Sequence, residues 1–257
     1  MPDTRLDRIQ DWEAKAIDSL AFRADQERVG GFLATIDRLV DFDFANYAFP
    51  VQAGHDRGQV GRLRDLFESR SRRLRIELNE AIWPELPSLL VESGLVEVER
   101  HPLMIVSRAE FRPARHERVT VELLDAEGPA GKLSWFQGIR ATGNGEPFRQ
   151  ATAEAIERGR VWLRRGHVYA LGHLDGEAAG TGACLPLDSV SDVVGIATLP
   201  EKRGHGVAQV VTTVLLEHLF ARGVDTVFLD ADDDRARRLY AKLGFEVIGD
   251  RLAYEHR

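Results

Sequence analysis

The stretch Gly195–Leu219, which reads GIATLPEKRGHGVAQVVTTVLLEHL, decides how this chain is interpreted. Its pattern predicts a strand that ends at Leu199-Pro200, then a loop, and then an amphipathic helix that begins directly after the glycines. Glycine lets the backbone approach a ligand closely, and a helix start offers unpaired N–H groups and the positive end of the helix dipole. The loop is therefore predicted to bind a phosphate or diphosphate.

This loop is not one of the two familiar nucleotide-binding loops, because the chain contains neither G-x-G-x-x-G nor G-x-x-x-x-G-K-[ST]. Taken in isolation, such a short motif is more often an ordinary glycine-containing loop. The segment Asp234–Gly249, DRARRLYAKLGFEVIG, changes that balance. Arg203–Ala208 resembles the [Q/R]-x-x-G-x-[G/A] acyl-CoA loop of the GNAT N-acetyltransferase family. The family's next signature is a helix that carries Leu-Tyr-x-x-x-Gly-Phe and runs into a strand. This chain is similar there, with Leu239, Tyr240, Gly244 and Phe245.

The resemblance implies that acetyl-CoA is bound as a co-substrate and that its acetyl group is transferred to an amine by direct attack on the thioester. The strand before the loop would align the pantetheine arm, and the loop would hold the diphosphate. The residues implied are Ile196, Ala197 and Thr198 for the arm, and Arg203, Gly204, His205, Gly206, Val207 and Ala208 for the diphosphate. No metal site is implied.

Tyr240 is implied to be the catalytic acid that protonates the departing CoA thiolate. A phenol has a pKa near ~10 and a thiol near ~8.5, so a tyrosine stays protonated at neutral pH until the sulfur leaves. The alternative for Tyr240 is a core aromatic on a helix that faces a sheet. The family often has Asn seven residues before the tyrosine; this chain has Asp233 there, and we interpret it as a helix cap.

A second copy of the pattern is indicated in the first half of the chain. Ser93-Gly94-Leu95 corresponds to Leu243-Gly244-Phe245 at an offset of 150 residues, and Leu90 then stands opposite Tyr240. Leucine cannot donate a proton. The segment RGQVGR (Arg57–Arg62) also lacks the G-x-[G/A] spacing.

The predicted fold class is α/β (α+β), with two tandem GNAT-like lobes, each a mixed, mostly antiparallel sheet flanked by helices. Residues 1–110 are predicted to be a degenerate, non-catalytic domain and residues 111–257 the catalytic domain. Two helices are further predicted, one through Phe32, Ile36, Leu39 and Val40, and one from about Pro147 to Arg164 after a glycine-rich patch.

Composition excludes several classes of protein. With 34 Lys and Arg against 41 Asp and Glu, the net charge is −7, which argues against a dedicated nucleic-acid binder. No apolar run is long enough to span a membrane, and the start has no signal-peptide core. The lone Cys184 cannot form an internal disulfide. A cytoplasmic protein without nucleic-acid or membrane partners is expected, and its oligomeric state stays open.

The acceptor stays open among small amines, peptide N-termini and lysine side chains. Asp188, Asp192 and His173 are base candidates, although each is more simply a turn residue. Three aromatic residues are interpreted first as core and second as an acceptor-pocket lining, namely Trp135, Phe136 and Trp162. The competing functions are an acyl-CoA-binding sensor that transfers nothing and, more weakly, an enzyme similar to mycothiol synthases, which are also tandem.

Overall fold

The computed structural model describes residues 4–38 and 45–256, and the chain forms two compact units. The first unit comprises Met1–Leu103, Asp230–Asp233 and Val247–Arg257. The second unit comprises Met104–Leu229 and Asp234–Glu246. The chain therefore leaves the first unit twice and returns to it twice.

In chain order, the elements that begin in the first half are α1 (Thr4–Asp18), β1 (Ala24–Val29), β2 (Phe32–Asp37), β3 (Asn46–Pro50), α2 (Arg57–Ser69), β4 (Arg75–Asn79), α3 (Leu86–Glu92), β5 (Leu95–Ser107) and β6 (Val119–Leu123). They are followed by α4 (Ala130–Gly143), α5 (Ala153–Arg164), β7 (Val168–Leu174), β8 (Glu177–Cys184), β9 (Pro186–Leu187), β10 (Val190–Asp192) and β11 (Val194–Thr198). The last elements are α6 (Val207–Ala221), β12 (Thr226–Asp230), α7 (Asp234–Lys242) and β13 (Glu246–His256).

The sheet of the first unit has the strand order β1-β2-β3-β4-β13-β5. Neighbours are antiparallel at β1/β2, β2/β3 and β4/β13, whereas β3 and β4 are parallel. Its core packs apolar side chains of the sheet against helices α2 and α3, including the fully buried Phe32, Phe67 and Leu90. The predicted combination of a mixed, mostly antiparallel sheet with flanking helices is confirmed.

The predicted helix through Phe32 and Ile36 is wrong, because both residues lie in strand β2. Five of the six β2 residues are buried, so the apolar positions cover both faces and the four-residue spacing no longer distinguishes a helix from a strand. The pairing of β2 with both β1 and β3 decides in favour of the strand. Leu39 and Val40 lie outside the described residues.

The second unit contains an antiparallel sheet with the order β6-β7-β8-β11. The β7–β8 hairpin turns at Asp175-Gly176, whose φ angles of 52° and 84° are those of the tight turn that this dipeptide favours. The strands β9, β10 and β12 are neighbours in that order, and β10 runs parallel to β12.

The predicted helix from about Pro147 to Arg164 is wrong at its start, because α5 begins at Ala153 after the N-cap Thr152. The glycine-rich patch does not form a loop throughout, since Gly138 lies inside α4. A Cβ at Gly138 would overlap the backbone oxygen of Arg149, so this glycine lets the segment after α4 fold back against the helix. The requirement for glycine here is one of packing rather than of turn formation.

Helix α6 packs against β7 and β8 at three glycines. A Cβ at Gly172 would lie 2.6 Å from a Val211 methyl carbon, and one at Gly180 would lie 2.6 Å from a Val207 methyl carbon. A Cβ at Gly182 would lie 2.9 Å from side-chain carbons of Val211 and of another helix residue. No real Cβ tolerates such distances, so the glycines let α6 lie directly on the sheet and fix where its first turn stands.

Candidate functional site

The site is organised by a strand that changes partners. At β10, Val190 is paired with Thr226 and Asp192 with Phe228 of the parallel strand β12, and the N–H of Val193 still donates to the Phe228 carbonyl at 2.9 Å. The continuation β11 pairs with β8 instead and is the terminal strand of its sheet. The two parallel strands therefore part after Val193, and in the described residues β11 has a neighbour on one side only. Such an edge leaves backbone groups available to an extended ligand.

A β-bulge shapes the beginning of this edge. Val194 pairs with Ala183 but Ala197 pairs with Thr181, so β11 contains one residue more than β8 between these pairs. Gly195 adopts a φ of 61° there, a left-handed conformation that favours glycine. Ile196 and Thr198 are half-buried and Ala197 is buried. The three residues predicted to align pantetheine thus lie on the free edge strand.

The loop after β11 ends in a helix start that no side chain of the described residues caps. Gly204 and Gly206 have φ angles of 83° and 79°, and Gly206 is the N-cap of α6. The first turn carries no acidic residue. Within the described part of the chain, none of the backbone N–H groups of residues 204–209 donates to a protein acceptor. These donors, together with the helix dipole, suit an anion.

The space around the loop is open at one glycine and lined by a histidine at the other. A Cβ at Gly204 would meet nothing within 4 Å, whereas one at Gly206 would lie 3.3 Å from the His116 ring. Arg203 and His205 are exposed, and the Arg203 guanidinium donates to the Thr198 carbonyl at 3.2 Å. This bond connects the loop to the last residue of β11. Val207 and Ala208 form the first turn of α6.

Tyr240 lies on α7 and is 8 % exposed. Its ring packs on Phe245 at a centroid distance of 5.7 Å. Gly244 lies between α7 and β13, and a Cβ there would overlap the Glu110 carbonyl. Its φ of 98° also favours glycine. Tyr240 and the loop belong to the same unit. The loop follows β11, and the helix that carries Tyr240 follows β12, so each comes after one of the two strands that part. Asp233 directly precedes α7, and its role as a helix cap stays a prediction.

A cleft of about 500 Å³ opens beside the end of β11. It is lined by Trp135 and Thr142 of α4, by residues 145–148 of the following segment, and by Leu199, Pro200 and Glu201. Trp135 stacks on Phe148 at 4.9 Å between ring centroids. Of the three aromatic candidates, Trp135 thus lines a cleft, whereas Phe136 and Trp162 belong to a core cluster under β7.

The residues considered as bases have structural partners. Asp192 accepts a hydrogen bond from the Leu185 N–H at 2.7 Å, and Asp188 adopts a turn conformation with a φ of 53°. His173 lies in β7, 3.7 Å from a Glu122 carboxylate. Burial raises the pKa of the Cys184 thiol, so its nucleophilic thiolate form is disfavoured.

Residues 4–38 and 45–256 contain neither a metal-binding cluster nor a membrane-spanning helix. No group of three or more His, Cys, Asp or Glu side chains there is arranged to hold a metal ion. None of the helices described has both the length and the apolar character needed to cross a bilayer.

Comparison with known proteins gives a consistent result. The model of the acetyltransferase (GNAT) family matches residues 136–245. A mycothiol acetyltransferase of Tsukamurella paurometabola is 36% identical over 129 residues, which are 48% of this chain and 44% of that protein. The chain spans less than half the length of the curated relatives that it matches.

Solved structures share the fold over nearly the whole chain. A GCN5-related N-acetyltransferase from Kribbella flavida superposes with a TM-score of 0.77 at 23% identity, covering 96% of this chain and 95% of the other. A tandem GNAT protein from the clavulanic acid biosynthesis pathway gives a TM-score of 0.60 at 14% identity, covering 88% and 78%. At these identities the likeness establishes the fold.

Proposed function

We propose, on the match of residues 136–245 to the acetyltransferase (GNAT) family model, that this chain transfers an acetyl group from acetyl-CoA to an amine. The observation that carries the proposal is the parting of β11 from β12 directly before the uncapped start of α6. An edge strand suits an extended arm with amide groups, and the helix start suits a diphosphate. The edge strand comes directly before the helix start along the chain, and the pantetheine arm of CoA is joined in the same way to the diphosphate.

The residues present fit this ligand. The N–H groups of Gly204 to Ala208 would hold the diphosphate, and the backbone of Ile196 to Thr198 would align the pantetheine arm. The glycines leave room for close approach, and no carboxylate stands in the first turn of α6 to repel an anion. Arg203 and His205 are exposed at the mouth of the loop.

The reaction needs a neutral amine and a good leaving group. The amine nitrogen bonds to the acetyl carbon, and the carbon–sulfur bond breaks. Tyr240 donates its hydroxyl proton to the departing sulfur, and the proton of the amine passes to water. The mainly buried position of Tyr240 supports this role, since few waters compete there for the proton.

The first unit is proposed to be a degenerate copy that takes no part in the chemistry. Its elements β3, α2, β4, α3 and β5 follow one another in the same order as β11, α6, β12, α7 and β13. Leu90 is fully buried in its core, 150 residues before Tyr240. The corresponding domain roles of residues 1–110 and 111–257 stay a prediction.

The deciding experiment measures binding and transfer separately. Titration with acetyl-CoA should show binding, and incubation with acetyl-CoA and a panel of amines should release free thiol. Tyr240→Phe should keep the binding and lower kcat by about 100-fold, the lower range for a general acid. Tyr254→Phe is the matched control: it removes the hydroxyl that bonds Glu97 in the first unit and should leave turnover unchanged.

Three outcomes separate the candidates. Binding with no thiol release for any amine would favour the acyl-CoA sensor over the enzyme. Full turnover by Tyr240→Phe would remove the tyrosine from the mechanism. Failure to bind acetyl-CoA would overturn the proposed function as a whole.

A further inference from the structure

Arg140, on helix α4, has no protein partner in the described part of the chain although its side chain is mostly covered. Its guanidinium forms neither a hydrogen bond nor an ion pair with any described residue, and its exposure is intermediate. Two other arginines that are buried or half-buried have protein partners. Arg75 bonds three carboxylates, and Arg160 donates to a backbone carbonyl at 3.2 Å. No Arg140 nitrogen is among the fully buried unpartnered atoms, so the guanidinium keeps access to solvent and is available to an anionic ligand.

The backbone places this guanidinium over the bulge of the edge strand. A Cβ at Gly195 would lie 3.2 Å from Nε and 3.5 Å from Cδ of Arg140. One turn further along α4, a Cβ at Gly143 would lie 3.0 Å from the Ala197 Cβ. Ile139 packs with Ala197 in one core cluster. Helix α4 is thus held along β11 at several points, and the position of Arg140 follows from that packing.

The side chains around Arg140 do not neutralise it. Burial, and secondarily the positive charge of Arg140, lower the pKa of His167 to about 4, so this imidazole is neutral at pH 7. Burial raises the pKa of Tyr169 to about 12, so its phenol is also neutral. A guanidinium is always charged and offers a planar fork of donors that matches a carboxylate. The guanidinium is therefore a donor fork that no described residue occupies and that suits an anion of a bound molecule.

The place of the bulge relative to the reacting atoms rests on the proposed function. If the diphosphate lies at the start of α6, the pantetheine arm runs back along β11 from Thr198 toward Gly195. The steps from Leu199 to Gly195 cover roughly 13 Å at the rise of a strand. The thioester end of the arm then lies beside the bulge and within reach of Arg140.

We infer that Arg140 is a specificity residue that binds a carboxylate of the reacting molecules next to the thioester. This carboxylate belongs either to the acceptor, which is then an amino acid or a related amine, or to the acyl group of the donor. In both cases the chemistry is a charge-assisted, two-pronged hydrogen bond from the guanidinium.

The test compares substrates that differ only in this charge. With acetyl-CoA, kcat/KM is measured for each amino acid and for its amide; with one fixed amine, succinyl-CoA is compared with butyryl-CoA. The wild type should prefer the carboxylate by at least about tenfold in one of the two arms. Arg140→Gln should bring that ratio close to one, and Arg140→Lys should retain part of it. Intrinsic amine reactivity cancels because the same pair is compared across variants.

Two controls make the result decisive. Acetyl-CoA titration should give the same affinity for Arg140→Gln as for the wild type. The second control, Arg222→Gln, removes an exposed charge at the end of α6 and should leave the kcat/KM ratio of charged to uncharged substrate unchanged. Equal use of the charged and the uncharged substrate in both arms, or a preference that Arg140→Gln leaves intact, would overturn the role of Arg140 alone. Absence of acetyl-CoA binding by the wild type would overturn the proposed function and this inference together.

Discussion

The starts of helices α2 and α6, which correspond to each other in the proposed repeat, are built in opposite ways. Their N-caps, Asp56 and Gly206, are 150 residues apart, and each helix follows a strand and leads to a further strand. At α2 the Asp56 carboxylate accepts the Gln59 N–H at 2.8 Å. At α6 the glycine cap has no side chain to do so.

A glutamine side chain also fills the space beside the start of α2, whereas the space beside the start of α6 stays open. The Gln59 side chain accepts the Gly31 N–H at 2.9 Å and donates to the Gly54 carbonyl at 2.8 Å. Gln209 lies 150 residues after Gln59, and in the described residues its side chain forms no hydrogen bond of this kind. A negative charge and a buried amide thus close one helix start to anions, whereas the other keeps its N–H groups.

The largest expected effect comes from giving α6 the cap of α2. Gly206→Asp adds a side chain in a left-handed conformation facing His116 and puts a carboxylate where an anion should bind. We expect acetyl-CoA affinity to fall by about 100-fold, or ~3 kcal/mol, in isothermal titration. Gly223→Asp, with a φ of 91° and open space at the other end of α6, bears the same backbone strain and should bind normally. Equal affinity in both variants would show that the helix start is not the anion site.

The next largest effect is expected on the stability of the second unit at low pH. Because the folded pKa of His167 is lowered to about 4, the unfolded chain binds the extra proton first as pH falls below about 6.5. Stability of the second unit should therefore decline between pH 6.5 and 4, by on the order of 2 kcal/mol. Thermal unfolding across this range should show a smaller decline in His167→Gln. Parallel pH curves for the two proteins would contradict the buried neutral imidazole.

Gln59→Ala tests how firmly the first unit is closed. Because the buried Gly31 N–H loses its acceptor, we expect the free energy of unfolding to fall by about 1–3 kcal/mol in denaturant titration. Gln209→Ala, at the corresponding position of α6, should change it by less than about 0.5 kcal/mol. The number of acetyl-CoA molecules bound should stay one per chain in both variants. A second binding event in Gln59→Ala would show that the first unit has kept a latent site.

The smallest effect concerns the Asp56 cap. The hydrogen bond from the Gln59 N–H lowers the pKa of Asp56, so the carboxylate stabilises the fold above its unfolded pKa. That contribution is lost as pH falls through the lowered folded pKa. Asp56→Asn keeps a capping oxygen without this titration, and the difference in Tm between wild type and variant should shrink on acidification. A difference independent of pH would mean that the charge plays no part.

Local sequence patterns were sufficient for much of the second unit. The dipeptide Asp175-Gly176 predicts its turn, because few residues tolerate the backbone angles required. Gly244 marks the end of α7 for the same reason, and the loop glycines are correctly placed before α6. In β2, by contrast, burial on both faces removed the periodicity, and α4 was missed because its Gly138 looks like a loop residue.

The sequence by itself determined which backbone conformations are accessible and where a helix start is free of acidic side chains, since these depend on residues close together in the chain. Only the tertiary structure decided that β11 leaves β12, that three glycines seat α6 on the sheet, and that Arg140 lies over Gly195 without a partner among the described residues. Those features arise from contacts between segments up to tens of residues apart. Strand pairing and side-chain packing select among partners that the local pattern leaves equivalent.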